Sequence, residues 1–576
     1  MNATNGYGKY CPNPQFERKD YLFLCGQWQF CMADSETAKP VFDREIVVPY
    51  SYESKASGIG DESVHGCVWY RRTFPVRAHR GKILLHFEAV DYFATVFVNG
   101  SLAGEHRGGY TEFCLDITPY VKEGENVLTV RVLDSLSKSQ LRGKQRAKAE
   151  SYECWYVQTT GIWKPVWLEY AGETCLECFR VHASADGTVR LECELSGEAE
   201  TFYEIYDGEK CVFSGGIPRG GKKVAGAAKI LSPKLWSADA PHLYTMKIRV
   251  SGDPSDEVYT YFGIREIAVR EDGVYINGKR EYQQMILDQG YWPDTMLTAP
   301  DESALEKDVE LIKRMGFNGV RKHQKVESHI FYYLCDKLGL YVWGEIPSAY
   351  IFDAEMRGEF TRDTRAIVAQ LSNHPSVICW LLFNETWGVY SIKDSAEQQA
   401  FVESVEKMVR KLDDRPVITN DGWSHLDSDI LSLHEYEQNP ETFRKEYAVK
   451  DYVVTDKKIN TNFYGKAFAD GYRYRGQPVM ISEYGGVAID GAGGWGYGAG
   501  AADTAAFAER VRSIADTVKS IPYVCGCCYT QLTDVQQEVN GLLTADRVPK
   551  LPTDVIREIF SPESGQKRAE RMRKTG

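Results

Sequence analysis

Two glutamates carry the chemistry that can be read from this sequence. Glu385 follows the stretch Asn373-His374-Pro375-Ser376-Val377-Ile378-Cys379-Trp380-Leu381-Leu382-Phe383-Asn384, in which residues 377–383 are all apolar. That run is short, β-branched at its start and preceded by proline, which reads as a buried parallel strand rather than a helix. Glu483 ends a second stretch of the same grammar, Pro478-Val479-Met480-Ile481-Ser482, and leads into Tyr484-Gly485-Gly486. A carboxylate placed directly after a buried parallel strand lies at the C-terminal edge of the sheet, where α/β barrels carry their chemistry. Two such carboxylates facing each other across a barrel mouth have what glycoside cleavage needs. One donates a proton to the leaving oxygen, and the other attacks the anomeric carbon or activates water. A single strand-end glutamate as often caps its strand or pairs with an arginine; two, one after Asn and one after Ser, favour chemistry.

Each glutamate needs a strand to carry it and a closed sheet to bring the pair together. From about residue 270 the chain alternates short apolar runs with helical stretches, the pattern of a parallel α/β sheet. Eight candidate strands fall at 282–287, 317–321, 340–343, 377–383, 417–420, 430–434, 479–482 and 523–531, with helices such as 302–315, 326–338 and 396–412 between them. Asp301-Glu302 opens the first helix as an acidic N-terminus should, and Gly316 and Gly339 stand where left-handed caps end helices. Eight strands within residues 268–576 predict a (β/α)8 TIM barrel, with Glu385 after strand four and Glu483 after strand seven. Upstream, residues 1–170 read as all-β, with strand-like runs at 24–30, 69–74 and 94–98 and a tight turn at Asn99-Gly100. Residues 171–267 are short strands broken by Asp186-Gly187, Gly215-Gly216 and Gly220-Gly221. They fit an immunoglobulin-like β-sandwich and suggest no chemistry.

Length and composition agree with a multidomain globular chain. At 576 residues three or four domains are expected. The net charge of −13 argues against nucleic acid and anionic membrane as partners. No run of 18 apolar residues exists to span a bilayer, and no signal-peptide core follows the polar N-terminus. The 15 cysteines are odd in number, follow no repeating framework and often sit in apolar runs (Cys379, Cys525, Cys527). That is the usage of reduced, buried thiols in a cytoplasmic protein. Cys175-x-x-Cys178 lacks the second pair that a zinc site needs. Lys567, Arg568, Arg571, Arg573 and Lys574 read as a solvated basic tail.

The stretches around Glu385 and Glu483 resemble the acid/base and nucleophile signatures of glycoside hydrolase family 2, which holds β-galactosidases, β-glucuronidases and β-mannosidases. The resemblance runs over nearly the whole chain. Val90-Asp91-Tyr92, Val98-Asn99-Gly100, Gly108-Gly109-Tyr110 and Thr160-Gly161-Ile162-Trp163 are similar to that family's jelly-roll "sugar-binding" domain. Phe262-Gly263-Ile264-Arg265 is similar to its junction into the barrel. The resemblance implies Glu385 as general acid then base, with its proton retained near neutral pH by burial or by the other carboxylate. It implies Glu483 as an ionised nucleophile forming a covalent glycosyl-enzyme, with carboxyls about 5–5.5 Å apart and retained anomeric configuration. It further implies Asn384 on the sugar 2-hydroxyl, Tyr436 positioning the nucleophile and Arg321 keeping it ionised. No metal and no cofactor is implied.

The sequence departs from the family pattern around the sugar. The usual Ser-His-Tyr after the arginine is replaced by His323-Gln324-Lys325, so Gln324 or His323 takes the place of the usual histidine. Lys325 meets either a substrate carboxylate or a neighbouring glutamate. The last strand has Tyr529-Thr530-Gln531-Leu532-Thr533-Asp534 in place of the usual tryptophan, making Gln531, Asp534 and Glu538 candidate contacts, with His434 another. The magnesium-binding Glu-x-His is absent after Glu345, and the Asn-x-Lys carboxylate clamp of β-glucuronidases is not evident. The glycine-rich loop after Glu483 carries Trp495 and Tyr497, either as a lid or as a plain solvent loop. The segment around Glu153, Trp155 and Tyr156 is the candidate for a sandwich loop reaching the site. The leading expectation is a retaining exo-β-glycosidase acting on small β-glycosides or oligosaccharides, β-galactosidase-like first. β-Glucuronidase or β-furanosidase specificity is the alternative. A transglycosylase and a catalytically inactive carbohydrate-binding protein are the readings from outside hydrolysis, and self-association is left open.

Overall fold

The eight barrel strands are buried at every position, and their polar and charged residues gather toward the strand ends. In the computed structural model they are Gln283–Asp288 (β1), Gly319–Lys322 (β2), Tyr341–Glu345 (β3), Val377–Leu381 (β4), Val417–Ile418 (β5), Leu431–Glu435 (β6), Val479–Gly485 (β7) and Val524–Thr530 (β8). The structure describes residues 7–33, 35–455 and 466–561; the basic tail lies outside the described residues. The spatial order is β5-β4-β3-β2-β1-β8-β7-β6, with every neighbouring pair parallel. A parallel bridge between Gly422 and Leu433 brings the two ends together and all but closes the barrel. Two predicted strands end two residues early: 377–383 leaves the ladder after Leu381, and 417–420 pairs only through Ile418. The residues released, Leu382 to Asn384 and Thr419 to Asp421, build the turns at the barrel's C-terminal mouth.

The helices are Glu302–Arg314 (α1), His329–Leu338 (α2), Ala354–Leu371 (α3), Ala396–Leu412 (α4), Pro440–Glu446 (α5), Lys450–Thr455 (α6), Thr504–Ser520 (α7) and Thr553–Phe560 (α8). Their starts follow side-chain capping. Asp301 accepts from the Ala304 N–H at 2.7 Å, Asp353 from Met356 at 2.7 Å and Asp503 from Ala506 at 2.8 Å, each worth about 1 kcal/mol. Gly339 ends α2 at φ +77°. A three-stranded sheet (Ile267–Arg270, Gly273–Ile276, Lys279–Glu281) leads directly into β1. Its Val274 and Ile276 pack with Met285, Leu287, Trp343 and Met480, filling the end of the barrel away from the mouth.

The first sandwich packs a four-stranded sheet on a six-stranded one. Strand alternation drives it: in Gly26–Met32, Trp28 and Phe30 point into the core while Gln27 and Gln29 face water. The second sandwich, between Leu176 and Phe262, has three- and four-stranded sheets around Leu191, Ile205, Met246 and Ile248. Arg18 binds the two together, bonding Glu169 at 2.7 Å and Asp256 at 2.9 Å with all three side chains buried.

A finger of the first sandwich, residues 138–160, crosses to the barrel. The Arg142 and Gly143 N–H groups donate to the Ser348 carbonyl at 2.9 and 3.1 Å, and the Tyr350 N–H donates to the Lys138 carbonyl at 2.7 Å. The approach is close enough that Gly143, at φ +57°, has room for no side chain: a Cβ would stand 2.1 Å from the Gln324 carbonyl oxygen. Gly100, at φ +81°, has nothing within 4 Å of the same position. Gly100→Ala is therefore expected to cost about 1 kcal/mol for the left-handed backbone. Gly143→Ala should cost about 3 kcal/mol, since overpacking adds to it. Thermal unfolding of both variants checks this, and equal losses would mean the finger is not wedged against the segment after β2.

Candidate active site

Arg321, at the end of β2, is wholly buried at the centre of the barrel mouth. Its Nε donates to Glu345 of β3 at 2.8 Å. One terminal nitrogen donates to Glu483 Oε1 at 2.9 Å and also to Asp421; the other donates to Asn384 Oδ1 at 2.7 Å and lies 3.2 Å from His323 Nδ1. Burial alone would raise the Glu345 carboxyl, but Arg321 and His323 outweigh it and hold it at about 2. Asp421 is likewise held far below the usual carboxylate range by Arg321 and His434 against the effect of burial.

The turn after β4 presents Glu385. Glu385 and Thr386 have φ +49° and +63°, a left-handed pair that side-chain-bearing residues avoid, and one that costs of order 1–3 kcal/mol per residue. The turn is held by three bonds: Glu385 N–H to the Asp421 carbonyl (3.0 Å), Thr386 N–H to Asn420 Oδ1 (2.9 Å) and Trp387 N–H to the Asn384 carbonyl (2.8 Å). The residues that leave β5 early thus shape the turn that aims Glu385.

His434, at the end of β6, joins the two glutamates. Its Nδ1 lies 2.7 Å from Glu385 Oε1, and its Nε2 lies 2.8 Å from Asp421 and 3.4 Å from Glu483 Oε1. Burial works against its proton, yet the charges of Glu483 and Asp421 outweigh burial and raise it to about 10. Tyr436 donates to the other Glu483 oxygen at 2.6 Å. Glu385, His434 and Glu483 each place one N or O atom within 4.8 Å of the others. Three such atoms are a donor set a metal ion could use; here both His434 nitrogens already engage carboxylates.

The walls come from elsewhere. Trp155 of the finger packs on Trp387 and Tyr350 with ring centroids 5.7 and 5.6 Å apart. The Tyr156 hydroxyl donates to Glu538, which also accepts from Asn540 at 3.1 Å and from Gln289 at 3.3 Å. Lys144 lies 5.1 Å from the Trp387 ring. Burial opposes its charge, but Cys154, Glu538, Glu483 and Glu385 together raise its affinity for the proton. From the glycine-rich loop, Tyr497 stacks on Tyr436 at 3.4 Å, and the Trp495 N–H donates to the Glu153 carbonyl at 2.9 Å.

Of the residues singled out in the sequence, Arg321, His323, Asn384, Glu385, His434, Tyr436 and Glu483 meet in one cluster, with Trp495 in the overlying loop. Four do not present free groups to the cleft. Lys325 is buried against Glu327 (2.7 Å) and the carbonyls of Gly290 and Leu297, and burial lowers it to about 7. The substrate-carboxylate reading of Lys325 is corrected accordingly: all its donors are engaged within the protein. Asp534 pairs with Lys550 at 2.7 Å and accepts the Gly541 N–H, which likewise removes it as a sugar contact. Gln324 holds Glu345 at 2.5 Å and accepts the Ser348 N–H at 2.7 Å, so it positions the arginine's partner instead of offering an amide. Gln531 is buried between Gln289 and Asn540, behind Glu538. Asp421, Glu345 and Lys144 were not anticipated. Asp421 had one visible signal, a carboxylate three residues past a short apolar run.

Three family models match along the chain: "Glycosyl hydrolases family 2, sugar binding domain" at residues 24–170, "Glycosyl hydrolases family 2" at 178–265 and "Glycosyl hydrolases family 2, TIM barrel domain" at 267–562. A β-galactosidase of Thermoanaerobacter pseudethanolicus is 29% identical over 60% of this chain and 47% of its own length. A β-glucuronidase of Canis lupus familiaris is 25% identical over 83% of this chain and 79% of its own. The chain spans about half the length of the first curated relatives it matches. Among solved structures, a β-galacturonidase of Eisenbergiella tayi has TM-score 0.74 at 20% identity, covering 95% of this chain and 97% of its own. A β-glucuronidase of Bifidobacterium dentium has TM-score 0.77 at 21%, covering 95% and 98%; these likenesses show the fold.

The charge on His434 makes the site's contribution to stability depend on pH. A histidine whose proton is held more tightly in the folded chain stabilises the fold fully below its unfolded value, about 6.5, and loses that contribution as pH rises through about 10. The stability gap between wild type and His434→Asn should be widest at pH 6 and close toward pH 10. Denaturant unfolding at a series of pH values tests it; a gap constant across that range would show that His434 is neutral in the folded protein.

Proposed function

The chain belongs to glycosyl hydrolase family 2, and from that premise we propose that it is a retaining exo-β-glycosidase that removes a terminal β-linked sugar by double displacement. One observation carries the reading: Glu385 and Glu483, at the C-terminal ends of β4 and β7, bring carboxylate oxygens within 4.8 Å of each other. That spacing suits direct attack by one carboxylate, whereas a water between them would need roughly 6.5–9.5 Å.

In the first step Glu385 protonates the leaving oxygen while Glu483 attacks the anomeric carbon, giving an alcohol and a glycosyl ester on Glu483. In the second, Glu385 takes a proton from water, which displaces Glu483 and releases the sugar with its configuration retained. His434 holds Glu385 by Oε1, leaving Oε2 for the leaving group. Arg321 and Tyr436 hold the two oxygens of Glu483 and favour its ionised form. Asn384 commits its carbonyl to Arg321 and, among the described residues, keeps its NH2 for a sugar hydroxyl. Glu483 is only 5% exposed, and the finger and the glycine-rich loop wall in the cleft, which supports binding of one terminal residue. The relatives' names divide between galactosides and glucuronides, so a family name alone does not choose the sugar. Fifteen unpaired thiols, most of them buried, support a cytoplasmic setting, and no helix among the described residues is long and apolar enough to cross a membrane.

The experiment is hydrolysis of a panel of 4-nitrophenyl β-glycosides, with NMR of the first-formed product. Glu483→Gln should lower kcat by at least about 10⁴-fold, the scale of losing a nucleophile. Glu385→Ala should be partly rescued by azide, which yields a β-glycosyl azide. A first-formed α-anomer, or undiminished turnover by Glu483→Gln, would rule out double displacement on this pair.

A further inference from the structure

Away from the barrel mouth, a second group of chemistry-bearing side chains stands on the first sandwich. In its four-stranded sheet Leu85, Phe87, Val166 and Leu168 point into the core, and Phe113 packs against it. Strand alternation therefore turns His86, Cys114, Trp167 and Glu169 to the opposite face. The register sets His86 beside Cys114 on one neighbouring strand and beside Trp167 on the other. The strand that carries Cys114, Phe113–Asp116, lies at the edge of the sheet, and its thiol is exposed.

The His86 imidazole lies flat on the Trp167 ring, with centroids 4.8 Å apart and planes within 5°. Its Nε2 is 3.6 Å from Cys114 Sγ and 3.3 Å from Glu169 Oε2. Glu169 is fixed in turn by the Trp167 N–H at 2.9 Å and by Arg18 at 2.7 Å. Burial works against a proton on His86, but the charges of Cys114 and Glu169 outweigh it and raise the ring to about 10. An exposed sulfur thus touches a cation, the neighbour that lets a thiol react as its thiolate. The other charged groups on this face are engaged elsewhere. Lys82 pairs with Asp116 at 3.2 Å, Glu112 with His329 of α2 at 2.8 Å, and Arg18 also holds Asp256 of the second sandwich at 2.9 Å; Glu177 faces water. Beside Cys114 the surface opens into a recess of about 350 Å³, with Phe16, Phe113 and Leu176 among its walls, which leaves room for a small group carried on the sulfur.

We propose that Cys114 is a thiol-modification site, at which His86 activates the sulfur for exchange with low-molecular-weight disulfides. The Cys114 thiolate attacks one sulfur of the disulfide, and the new S–S bond forms as the disulfide's own S–S bond breaks. The departing sulfur takes the proton from His86 Nε2 and leaves as a thiol. His86 serves this exchange twice, since the ring that favours the thiolate also holds the proton the leaving sulfur needs. The adduct would stand where the first sandwich meets the second through Arg18 and the barrel through Glu112. The proposal is independent of the glycosidase reading.

The test exposes the full reduced chain to hydroxyethyl disulfide, a small uncharged probe, and follows each cysteine by acid quenching and peptide mass spectrometry. Cys178 and Cys211 are the internal references: both are exposed, and they face Glu194 at 3.9 Å and the Phe213 carbonyl at 3.3 Å instead of an imidazole. At about pH 6.5, well below the ordinary thiol value of about 8.5, Cys114 should form its mixed disulfide about tenfold or more faster than either reference. Between about pH 6.5 and 8.5 the Cys114 rate should change by less than about threefold, while that of Cys211 climbs roughly 50-fold with its thiolate fraction. In His86→Gln the advantage should vanish, bringing Cys114 within about twofold of Cys211. An advantage that survives in His86→Gln overturns the proposal. So does a wild-type Cys114 that reacts no faster than the references or whose rate climbs in parallel with that of Cys211, a result that needs no variant to fold.

Discussion

A guanidinium sealed inside a barrel mouth is the constraint from which the rest of this site follows. Arg321 has five N–H groups, and four of them meet oxygen acceptors, on Glu345, Asp421, Glu483 and Asn384. Removing such an ion from water is tolerable only when its donors are satisfied at good geometry. Arg321 lies on β2, and its acceptors sit on or just after β3, β4, β5 and β7. Satisfying one arginine therefore fixes the relative register of five strand ends, two of which carry the candidate catalytic carboxylates.

The same arithmetic explains the protonated histidine. Three carboxylates around one guanidinium leave an excess of negative charge in a buried site. His434, between Asp421, Glu483 and Glu385, is the nearest group able to offset it by keeping a proton. The backbone records a related compromise. Two consecutive left-handed residues at Glu385 and Thr386 are unfavourable in isolation, and they persist because Asn420 and Asp421 hold the turn from the adjacent strand end.

How much of this was legible depended on whether a residue's surroundings lie next to it in the chain. The barrel strands could be read because burial on both faces demands continuous apolar runs, and Glu385 and Glu483 because each stands where such a run stops. Asp421 shares that position, but Asn420-Asp421-Gly422 has the composition of an ordinary turn, and nothing local says that its carboxylate points inward to Arg321. Lys325 shows the converse. A lysine just past a strand end resembles a cleft residue, yet Glu327 two positions on and two distant carbonyls engage it fully. Asp534 was misread for the same reason: its partner, Lys550, lies on a later turn. Fold followed from periodicity; the sugar-facing groups depended on pairings that periodicity does not encode.

The division of labour between the domains follows from that difference. The barrel holds the candidate catalytic carboxylates on rigid strand ends, where a misplacement of an ångström would be costly. The walls come from segments free to vary without disturbing the barrel's closure: the finger at 138–160 and the glycine-rich loop after β7. In that loop Gly486 is bare for a reason, since a Cβ there would lie 2.4 Å from the Tyr497 ring, which stacks on Tyr436 beside Glu483. Changing the finger's lysine or the loop's tyrosine leaves every acceptor of Arg321 in place. A fold built in this way can keep one chemistry while exchanging the sugar it accepts, and the residues that choose the sugar should then be sought outside the barrel strands.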